Sequence, residues 1–373
     1  MEKSDHSLSL KELHIKCCTE KDVRSKITTG FEEYRLIHEA LPDIDLEDID
    51  ISCSFLGKTI SAPFIISPIT GGAEISRRIN QNLAIAAQEL NVVMSVGSQK
   101  LAIQDNSLLP TYQIRNVAPT IPILANIGAV YLNYGLSTED CKKAVDLIQA
   151  DALVLYLNPL QKALQHTGQT NFKDLGKKIA HLCTELHVPV IVKEVGFGLS
   201  RSTAIALRDA GVWAVDISGV GGTSWAKIEQ LMKEKGAEAI DDSWCGAFSD
   251  WGIPTAVSLV GVVDAIGGTP IIASGGIRTG VDMAKALALG ASYVGVALPL
   301  VLPAMLSFKF VINKIKSMIQ ELKTAMFCCG KRALLDLAKA RDNSVLIEVL
   351  GLPSIHCTTS AGSHDTADST TRL

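Results

Sequence analysis

A lysine stands at the end of one apolar segment, in a position where its charge needs a partner. Lys193 follows the run 189–192, which consists of one proline and three β-branched residues. A buried ammonium group is costly unless an anion lies beside it. Three roles fit this pattern: stabilising a cofactor ring that becomes anionic when reduced, forming a Schiff base with a substrate, or pairing with Glu194 or Asp216.

Glycine pairs follow two other apolar segments and could bring backbone N–H groups close to an anion. The pairs lie at 221–222 and 275–276, and the second precedes a helix-like segment. Barrel proteins build phosphate sites from such turns after their seventh and eighth strands. Tight turns without a ligand also use glycine. Because the two pairs occur together with Thr223 and Arg278, the pattern favours a phosphate site.

Eight short apolar, β-branched runs alternate with helix-like segments along the chain. Helical patterns occupy 79–90, 138–149 and 281–289, among others. Strands that alternate with helices predict a parallel sheet, and eight such units favour a closed barrel over an open sheet. The sequence therefore predicts the α/β class and a (β/α)8 TIM barrel. The predicted strands are 62–67, 92–96, 121–127, 152–157, 188–194, 212–218, 269–274 and 293–297.

Three regions of the chain differ in composition. Residues 1–60 are polar and mixed, and we expect an N-terminal lead-in that packs on a barrel formed by residues 61–352. The tail at 353–373 is rich in Ser, Thr and Asp, so we expect a flexible end. Within the barrel, the segment 219–252 is expected to be a long loop, and long loops in compact domains are often functional.

One apolar stretch, 286–308, carries no charged side chain and is long enough to span a membrane. However, it contains Gly290, Gly295, Pro299 and Pro303, and it divides into a helix end, a turn, a strand and a loop. Buried strands and helices of a large core are also apolar on all sides. The stretch is therefore predicted to be core, and no membrane span is expected.

The composition excludes several classes of protein. Of the 373 residues, 47% are hydrophobic and 20% are charged, so a large core is expected. The formal net charge is -4 and there is no basic stripe, so no nucleic-acid partner is expected.

Nine irregularly spaced cysteines predict free thiols in a reducing cytoplasm. Residues 1–12 lack the apolar core of a signal peptide. No G-x-G-x-x-G follows a strand, so a nicotinamide would have to bind transiently.

Longer motifs are specific when they are taken together. They are Thr29-Gly30-Phe31, Phe55-Leu56-Gly57-Lys58, Thr70-Gly71-Gly72, Val96-Gly97-Ser98-Gln99, Asn158-Pro159-Leu160-Gln161, Gly221-Gly222-Thr223-Ser224-Trp225, Asp250-Trp251-Gly252-Ile253-Pro254-Thr255 and Ser274-Gly275-Gly276-Ile277-Arg278. In these motifs the chain resembles the type 2 isopentenyl diphosphate isomerases, from about residue 10 to about residue 350. The resemblance implies a (β/α)8 flavoprotein that forms a homo-oligomer and acts on a small isoprenoid substrate. It also implies reduced FMN as cofactor, NAD(P)H as reductant and Mg²⁺ for the substrate diphosphate.

The resemblance also implies, position by position, which residues meet the cofactor and the substrate. FMN would be held by Ile69, Thr70, Ser98, Asn126, Lys193, Ser218, Thr223, Gly275, Gly276, Ala297 and Leu298. The substrate would contact Lys3, Ser98, Gln99, Lys100, Asn158, Gln161 and Lys162. Gln161 would lie beside the reacting alkene, and Lys193 would stabilise the negative charge of the reduced flavin. Lys100 stands where the family usually has an arginine, so a bidentate contact is lost.

Three departures from the family pattern fall on residues that would bind the polar head of the substrate. Glu2 and Lys3 stand where the family has Arg-Lys, so an arginine becomes an acid. Tyr156 replaces a histidine, and Lys162 replaces the metal-binding glutamate. A charged lysine has only donors and cannot ligate Mg²⁺, so no protein ligand to a metal is predicted. Either Lys162 supplies the counter-charge in place of the metal, or the substrate has no diphosphate.

The expected reaction moves a double bond of an isoprenoid, with the reduced flavin as acid and base and no net redox change. Gln161, Lys193 and Tyr156 are the expected catalytic residues. A rival reaction begins with the same protonation but closes a ring in a longer prenyl chain, and the face of Tyr156 would then stabilise a carbocation. A third possibility, from another class, is a non-catalytic FMN-binding protein.

Overall fold

Eight short parallel strands close into a barrel in the computed structural model, which describes residues 10–165, 168–233, 243–338 and 346–348. Each strand pairs with the next one along the chain, and the eighth pairs with the first. The predicted α/β barrel and its eight strands are therefore confirmed. In chain order, the barrel strands are Phe64–Ile66, Val93–Ser95, Ile123–Gly128, Ala152–Tyr156, Val190–Lys193, Ala214–Asp216, Ile271–Ala273 and Tyr293–Val296.

The strand register places three polar side chains next to one another. Tyr156 on the fourth strand lies opposite Lys193 on the fifth, and Lys193 lies opposite Asp216 on the sixth. Because the strands are parallel, all three residues lie at the carboxyl end of the barrel. The residues just before the last two, Val192 and Val215, are fully buried. Burial on both faces explains why these strands are continuous apolar runs in the sequence.

Helices alternate with the barrel strands and also lie before and after the barrel. The described helices are α1 (Leu10–Glu20), α2 (Glu74–Leu90), α3 (Lys100–Gln104), α4 (Thr138–Leu147), α5 (Pro159–Leu164), α6 (Leu175–Glu185), α7 (Arg201–Asp209), α8 (Trp225–Lys233), α9 (Thr255–Ala265), α10 (Gly280–Ala288), α11 (Leu298–Leu306), α12 (Phe308–Cys328) and α13 (Leu334–Ala338). The helical patterns predicted at 79–90, 138–149 and 281–289 fall in α2, α4 and α10. Ser137 and Thr279 form capping boxes that start α4 and α10.

A short antiparallel hairpin covers the amino-terminal end of the barrel. Its strands are Cys53–Phe55 and Lys58–Ile60. Phe55 is fully buried, and its ring meets Trp213 and Tyr293 edge-on at centroid distances of 5.1 and 5.0 Å. Because apolar side chains fill the interior at this end, a site for chemistry is expected at the opposite, carboxyl-terminal end of the strands.

Two segments that were predicted to be loops contain helices instead. The segment 219–252 includes α8 and the 3₁₀ helix Ser243–Phe248. Ala226 and Ile228 of α8 are fully buried, so tertiary packing stabilises a helix that the glycine-rich start of the segment obscured. The end of the apolar stretch is α11 and not a loop, because Pro299 lies in the first helical turn, where its missing N–H costs nothing.

The apolar stretch 286–308 is divided among the end of α10, the eighth barrel strand and α11. Among the described residues, no helix combines the length and the apolar character needed to cross a bilayer. Beyond the barrel, Leu346–Glu348 pairs antiparallel with Tyr34–Leu36, which precedes it. The tail at 353–373 and Lys3 lie outside the described residues, so the expectations for them stay predictions.

Candidate active site

A cavity opens at the carboxyl-terminal end of the barrel, and all eight barrel strands or the turns that follow them contribute to its wall. Helices α1 and α11 add residues from outside the barrel. Tyr156 and Gln161 line the same cavity. So do all the residues predicted to hold FMN, which are Ile69, Thr70, Ser98, Asn126, Lys193, Ser218, Thr223, Gly275, Gly276, Ala297 and Leu298.

A buried ion pair lies in the wall of the cavity. Lys193 Nζ is 3.7 Å from Asp216 Oδ2 and donates a hydrogen bond to the carbonyl oxygen of Glu194. The other oxygen, Asp216 Oδ1, accepts from Ser274 Oγ at 2.6 Å and from the Ser218 N–H at 3.2 Å. Of the three roles open to Lys193, pairing with Asp216 is therefore observed. The pairing leaves the lysine in the cavity wall, where it can also meet a ligand.

The acid next to this lysine, Glu194, is almost fully buried. Its Oε2 accepts three backbone N–H groups, from Val195 at 2.7 Å, Gly196 at 2.9 Å and Phe197 at 2.6 Å. Burial raises the pKa of Glu194 to about 7, although these N–H groups and Lys193 act in the opposite direction. The carboxyl group thus holds the turn after the fifth strand in place rather than facing the cavity.

The two glycine turns after the sixth and seventh strands pack backbone against backbone. Gly221, Gly275 and Gly276 have φ values of 117°, 96° and 79°, in the left-handed region that side chains disfavour. A Cβ on Gly222 would lie 2.5 Å from the Gly276 nitrogen, and one on Gly275 would collide with the Gly219 carbonyl oxygen. Since Gly219, Gly275 and Gly276 line the cavity, a ligand there would meet main chain.

Four buried polar atoms in the cavity wall have no hydrogen-bond partner among the described residues. They are His14 Nε2, Ser67 Oγ, Asn126 Oδ1 and Arg278 Nη2. A buried polar atom without a partner is costly, so each one is a position for a polar atom of a ligand. The group contains both donors and acceptors. This mixture fits FMN, whose ring edge carries donors and acceptors and whose phosphate is anionic.

The phosphate of such a ligand would meet Arg278. This half-buried residue follows the second glycine turn, and its Nη1 donates to the Ile277 carbonyl oxygen at 3.0 Å. Burial and the nearby charge of Arg24 lower the pKa of Arg278, yet a guanidinium stays protonated in proteins. The unpaired Nη2 therefore offers a charged donor beside the glycines, and the anion site itself stays a prediction.

Aromatic side chains form another part of the wall. The Tyr156 hydroxyl donates to Ser98 Oγ at 3.2 Å, and the Tyr112 hydroxyl donates to the Ser98 carbonyl oxygen at 2.7 Å. Burial raises the pKa of Tyr156 above its usual range, so the phenol is neutral. Trp225 also lines the cavity, and the His14 ring meets it edge-on at 5.3 Å.

Gln161 is held at both ends of its amide. Asn158 Nδ2 donates to Gln161 Oε1 at 2.9 Å, and Gln161 Nε2 donates to Glu229 Oε1 at 2.8 Å. The same Glu229 oxygen accepts from Gln165 Nε2 at 2.9 Å. Sequence analysis did not identify Glu229. The sequence feature that could have identified Glu229 is its spacing: it follows Ala226 by three residues and therefore lies on the same, buried face of α8.

Two ammonium groups contact Tyr131. Lys162 Nζ donates to the Tyr131 hydroxyl at 3.3 Å and to Gln165 Oε1 at 3.1 Å. Lys100 Nζ lies 4.0 Å from the centroid of the Tyr131 ring. Lys11 of α1 lines the cavity, and burial together with the charge of Lys162 lowers its pKa. The predicted substrate residues Lys100 and Lys162 thus meet at Tyr131, although neither lines the cavity.

Tertiary packing determines the positions of three further residues, Gln99, Lys11 and His14. Gln99 is fully buried outside the cavity wall, with Nε2 donating to the Ala144 carbonyl oxygen at 2.9 Å and Oε1 accepting from the Asn126 N–H at 3.0 Å. Its contact with a substrate stays a prediction. Lys11 and His14 were not identified, because no local pattern in the lead-in shows that α1 reaches the barrel mouth.

The residues around Lys162 do not fit Mg²⁺. This ion prefers an octahedron of oxygen ligands, several of them anionic or water. Among the described residues, no three His, Cys, Asp or Glu side chains come together as a metal site. The groups that do gather are Lys11, Lys100 and Lys162, whose charges would repel a divalent cation.

The fold and the cavity together define a flavin-binding (β/α)8 barrel. The sequence matches the family described as FMN-dependent dehydrogenase over residues 15–105 and 149–343. An isopentenyl-diphosphate delta-isomerase of Nostoc sp. is 44% identical over 332 residues, covering 89% of this chain and 94% of the relative. One from Synechococcus sp. is 46% identical over 319 residues, covering 84% and 90%. The chain therefore belongs to the type 2 isopentenyl-diphosphate isomerase family, as the motif resemblance predicted.

Solved structures with lower identity share the fold. A mandelate oxidase with a monooxide FMN adduct has a TM-score of 0.59 and 18% identity, covering 84% of this chain and 88% of the other. A mandelate oxidase with benzaldehyde has a TM-score of 0.59 and 20% identity, covering 83% and 86%. At this identity, the likeness shows a common barrel and nothing about the reaction.

Proposed function

We propose that this chain converts isopentenyl diphosphate into dimethylallyl diphosphate with reduced FMN bound in the barrel cavity. One observation supports the proposal most directly: every residue expected to hold FMN lines a single cavity, and Gln161 and Tyr156 line the same cavity. The unpaired polar atoms in that wall support a ligand with both donors and acceptors. Relatives named as isomerases, aligned over most of the chain, support the same reaction.

The residues of the cavity have separable roles in this proposal. Bound reduced FMN would supply acid and base chemistry at the alkene. Lys193, oriented by Asp216, keeps a positive charge in the wall that would stabilise a negatively charged ring. Gln161, fixed by Asn158, would orient the alkene. The neutral Tyr156 contributes to a wall that limits access of water.

Three finer statements belong to the same proposal. NAD(P)H would reduce the flavin in a transient encounter, since no dinucleotide motif follows a strand. A homo-oligomer is supported by Leu302, Leu306 and Phe310, which are exposed on α11 and α12. A cytoplasmic location is supported by the free thiols among the described cysteines.

A second reaction is favoured by the aromatic wall. Tyr156 and Trp225 both line the cavity, and an aromatic face stabilises a carbocation better than a protonated histidine would. Protonation of an alkene in a longer prenyl diphosphate, ring closure by a second alkene and loss of a proton from the cyclic cation would use the same flavin and the same lysine. The substrate assay below separates the two reactions.

The direct test is a product assay with purified protein, FMN and isopentenyl diphosphate in deuterated water, with product detected by NMR. Dimethylallyl diphosphate carrying deuterium is expected with reduced FMN, and none with oxidised FMN or without flavin. If the protein binds FMN but leaves isopentenyl diphosphate unchanged, farnesyl and geranylgeranyl diphosphate are tested for cyclic products. A protein that takes up no FMN would overturn both reactions.

A further inference from the structure

We propose that Lys11, Lys100 and Lys162 form a metal-independent site for the diphosphate head of the substrate. This inference rests on the proposed function, because it states how the same cavity holds that substrate. It replaces the magnesium that the family resemblance implies, which the residues of this chain do not fit. Three ammonium groups would replace the charge of the divalent cation, and two of them, Lys100 and Lys162, contact Tyr131.

Tyr131 brings two of the lysines together. Its ring centroid is 4.0 Å from Lys100 Nζ and 5.2 Å from Lys162 Nζ, and both contacts are of the cation–π kind. Its hydroxyl also accepts from Lys162 Nζ. Tyr131 itself is 9% exposed, so it provides a rigid surface on which two long side chains are ordered.

The third lysine comes from outside the barrel. Lys11 lies on α1 and lines the cavity, and the charge of Lys162 contributes to the lowering of its pKa. The like charges of Lys11 and Lys162 therefore oppose each other. Such repulsion in a partly buried setting is unfavourable until an anion is bound.

Among the described residues, the hydrogen-bond partners of Lys162 are neutral. Its ammonium group donates to the Tyr131 hydroxyl and to Gln165 Oε1, and neither compensates a charge. The nearby acid, Glu229, accepts from Gln161 and Gln165 instead. Positive charge thus accumulates without a counter-ion from these groups, which is the electrostatic pattern of an anion site.

The proposed site lies beside the cavity: Lys11 and Gln161 line the cavity, whereas Lys100, Lys162 and Tyr131 do not. Gln161, one residue before Lys162 on α5, lines the cavity, so a head group at the lysines would lie one residue away from that wall. Ammonium groups carry three donors each and suit the many acceptor oxygens of a diphosphate. A magnesium ion would add positive charge where it is already in excess.

The test measures binding of inorganic pyrophosphate to the full-length, FMN-loaded protein by isothermal titration calorimetry, with EDTA and with Mg²⁺. We expect the wild-type protein to bind in EDTA at least as tightly as with Mg²⁺. Lys162→Glu should weaken binding in EDTA by about tenfold or more, and Mg²⁺ should restore part of it, because a carboxylate can ligate the ion. Lys11→Gln and Lys100→Gln should also weaken binding in EDTA, which keeps the test decisive if Lys162→Glu fails to fold.

Lys316→Glu is the matched control, since it makes the same charge change on the exposed face of α12. It should leave pyrophosphate binding unchanged. Wild-type binding that requires Mg²⁺, or three lysine variants that bind as the wild type does, would overturn the inference. The proposed function fails separately, through the product assay: an inactive protein that binds pyrophosphate in EDTA would refute the isomerase and leave this site standing.

Discussion

Lys193 Nζ lies 3.7 Å from Asp216 Oδ2 on the neighbouring barrel strand, and only 9% and 6% of the two side chains are exposed. Ser274 and Ser218 bond to the other carboxylate oxygen, which orients the acid toward the lysine. Burial raises the pKa of Asp216, and the charge of Lys193 opposes this. The pair therefore sets how much positive charge the cavity wall presents to a ligand.

The midpoint potential of bound FMN should report this charge. Lys193→Gln should lower the potential, because a positive charge that favours the anionic reduced flavin is lost, and Asp216→Asn should raise it, because the lysine is no longer compensated. A tenfold change in relative affinity for the two flavin states shifts a two-electron potential by about 30 mV, and shifts of at least this size are expected. Spectroelectrochemical titration measures them. Lys58→Gln, at the opposite end of the barrel, is the control, and equal potentials in all variants would contradict the role of the pair.

Glu229 should act as a positioning residue for Gln161. Glu229→Met removes the acceptor for the Gln161 amide, so kcat should fall about tenfold or more while KM changes little. Glu229→Gln keeps an acceptor oxygen and should recover most of kcat. Gln165→Ala removes the other donor to the same carboxylate and serves as control for kcat at saturating substrate, because Gln165 also accepts from Lys162 and its loss would change KM. Steady-state product formation gives both constants, and an equal loss of kcat in the control would show that Gln161 orientation is not what Glu229 provides.

The barrel could be predicted because its strands and turns are determined by local sequence patterns. Each strand is buried on both faces and therefore is an apolar run, as at Val190–Lys193, and each run is followed by a turn or a capped helix. The residues expected to hold FMN came from the family resemblance, and they line one cavity because the strand ends of a barrel converge on one mouth. Two loop predictions were wrong because glycine and proline at the starts of these segments are typical of loops. In addition, the burial of Ala226, which stabilises α8, depends on residues that are distant in the sequence.

The remaining parts of the site depend on contacts between distant segments. Lys11 and His14 reach the cavity only because α1 packs against α8 and α11. Glu229 looks like an ordinary surface acid until Gln161 and Gln165 are brought to it. Lys162 was recognised as a departure from the family pattern, but its grouping with Lys11 required the structure.

Acid should destabilise the protein through His14. Burial, followed by the charge of Lys11, lowers the pKa of His14 to about 4 from 6.5. Between these values the unfolded chain binds the proton more readily than the folded one, so stability is full above pH 6.5 and falls as the pH drops toward 4. The loss reaches about 3 kcal/mol at most. Urea unfolding of wild type and His14→Gln should show a smaller acid loss in the variant, whereas the exposed His187→Gln should match the wild type; identical curves for all three would exclude His14.

Alanine substitutions at two glycines should separate backbone strain from steric collision. Gly57 and Gly276 have nearly equal φ values of 78° and 79°. A Cβ at Gly57 would meet nothing within 4 Å, whereas one at Gly276 would collide with Thr29 Cγ2 and lie 2.6 Å from the Gly221 carbonyl oxygen. Gly57→Ala should therefore lower the free energy of unfolding by about 1 kcal/mol, from strain alone. Gly276→Ala should lower the free energy of unfolding by about 3 kcal/mol or more. It should also weaken FMN binding, because the glycine turn after the seventh strand must shift. Equal losses in urea unfolding, with unchanged FMN affinity, would show that the tight packing of the two glycine turns is not needed for the cofactor site.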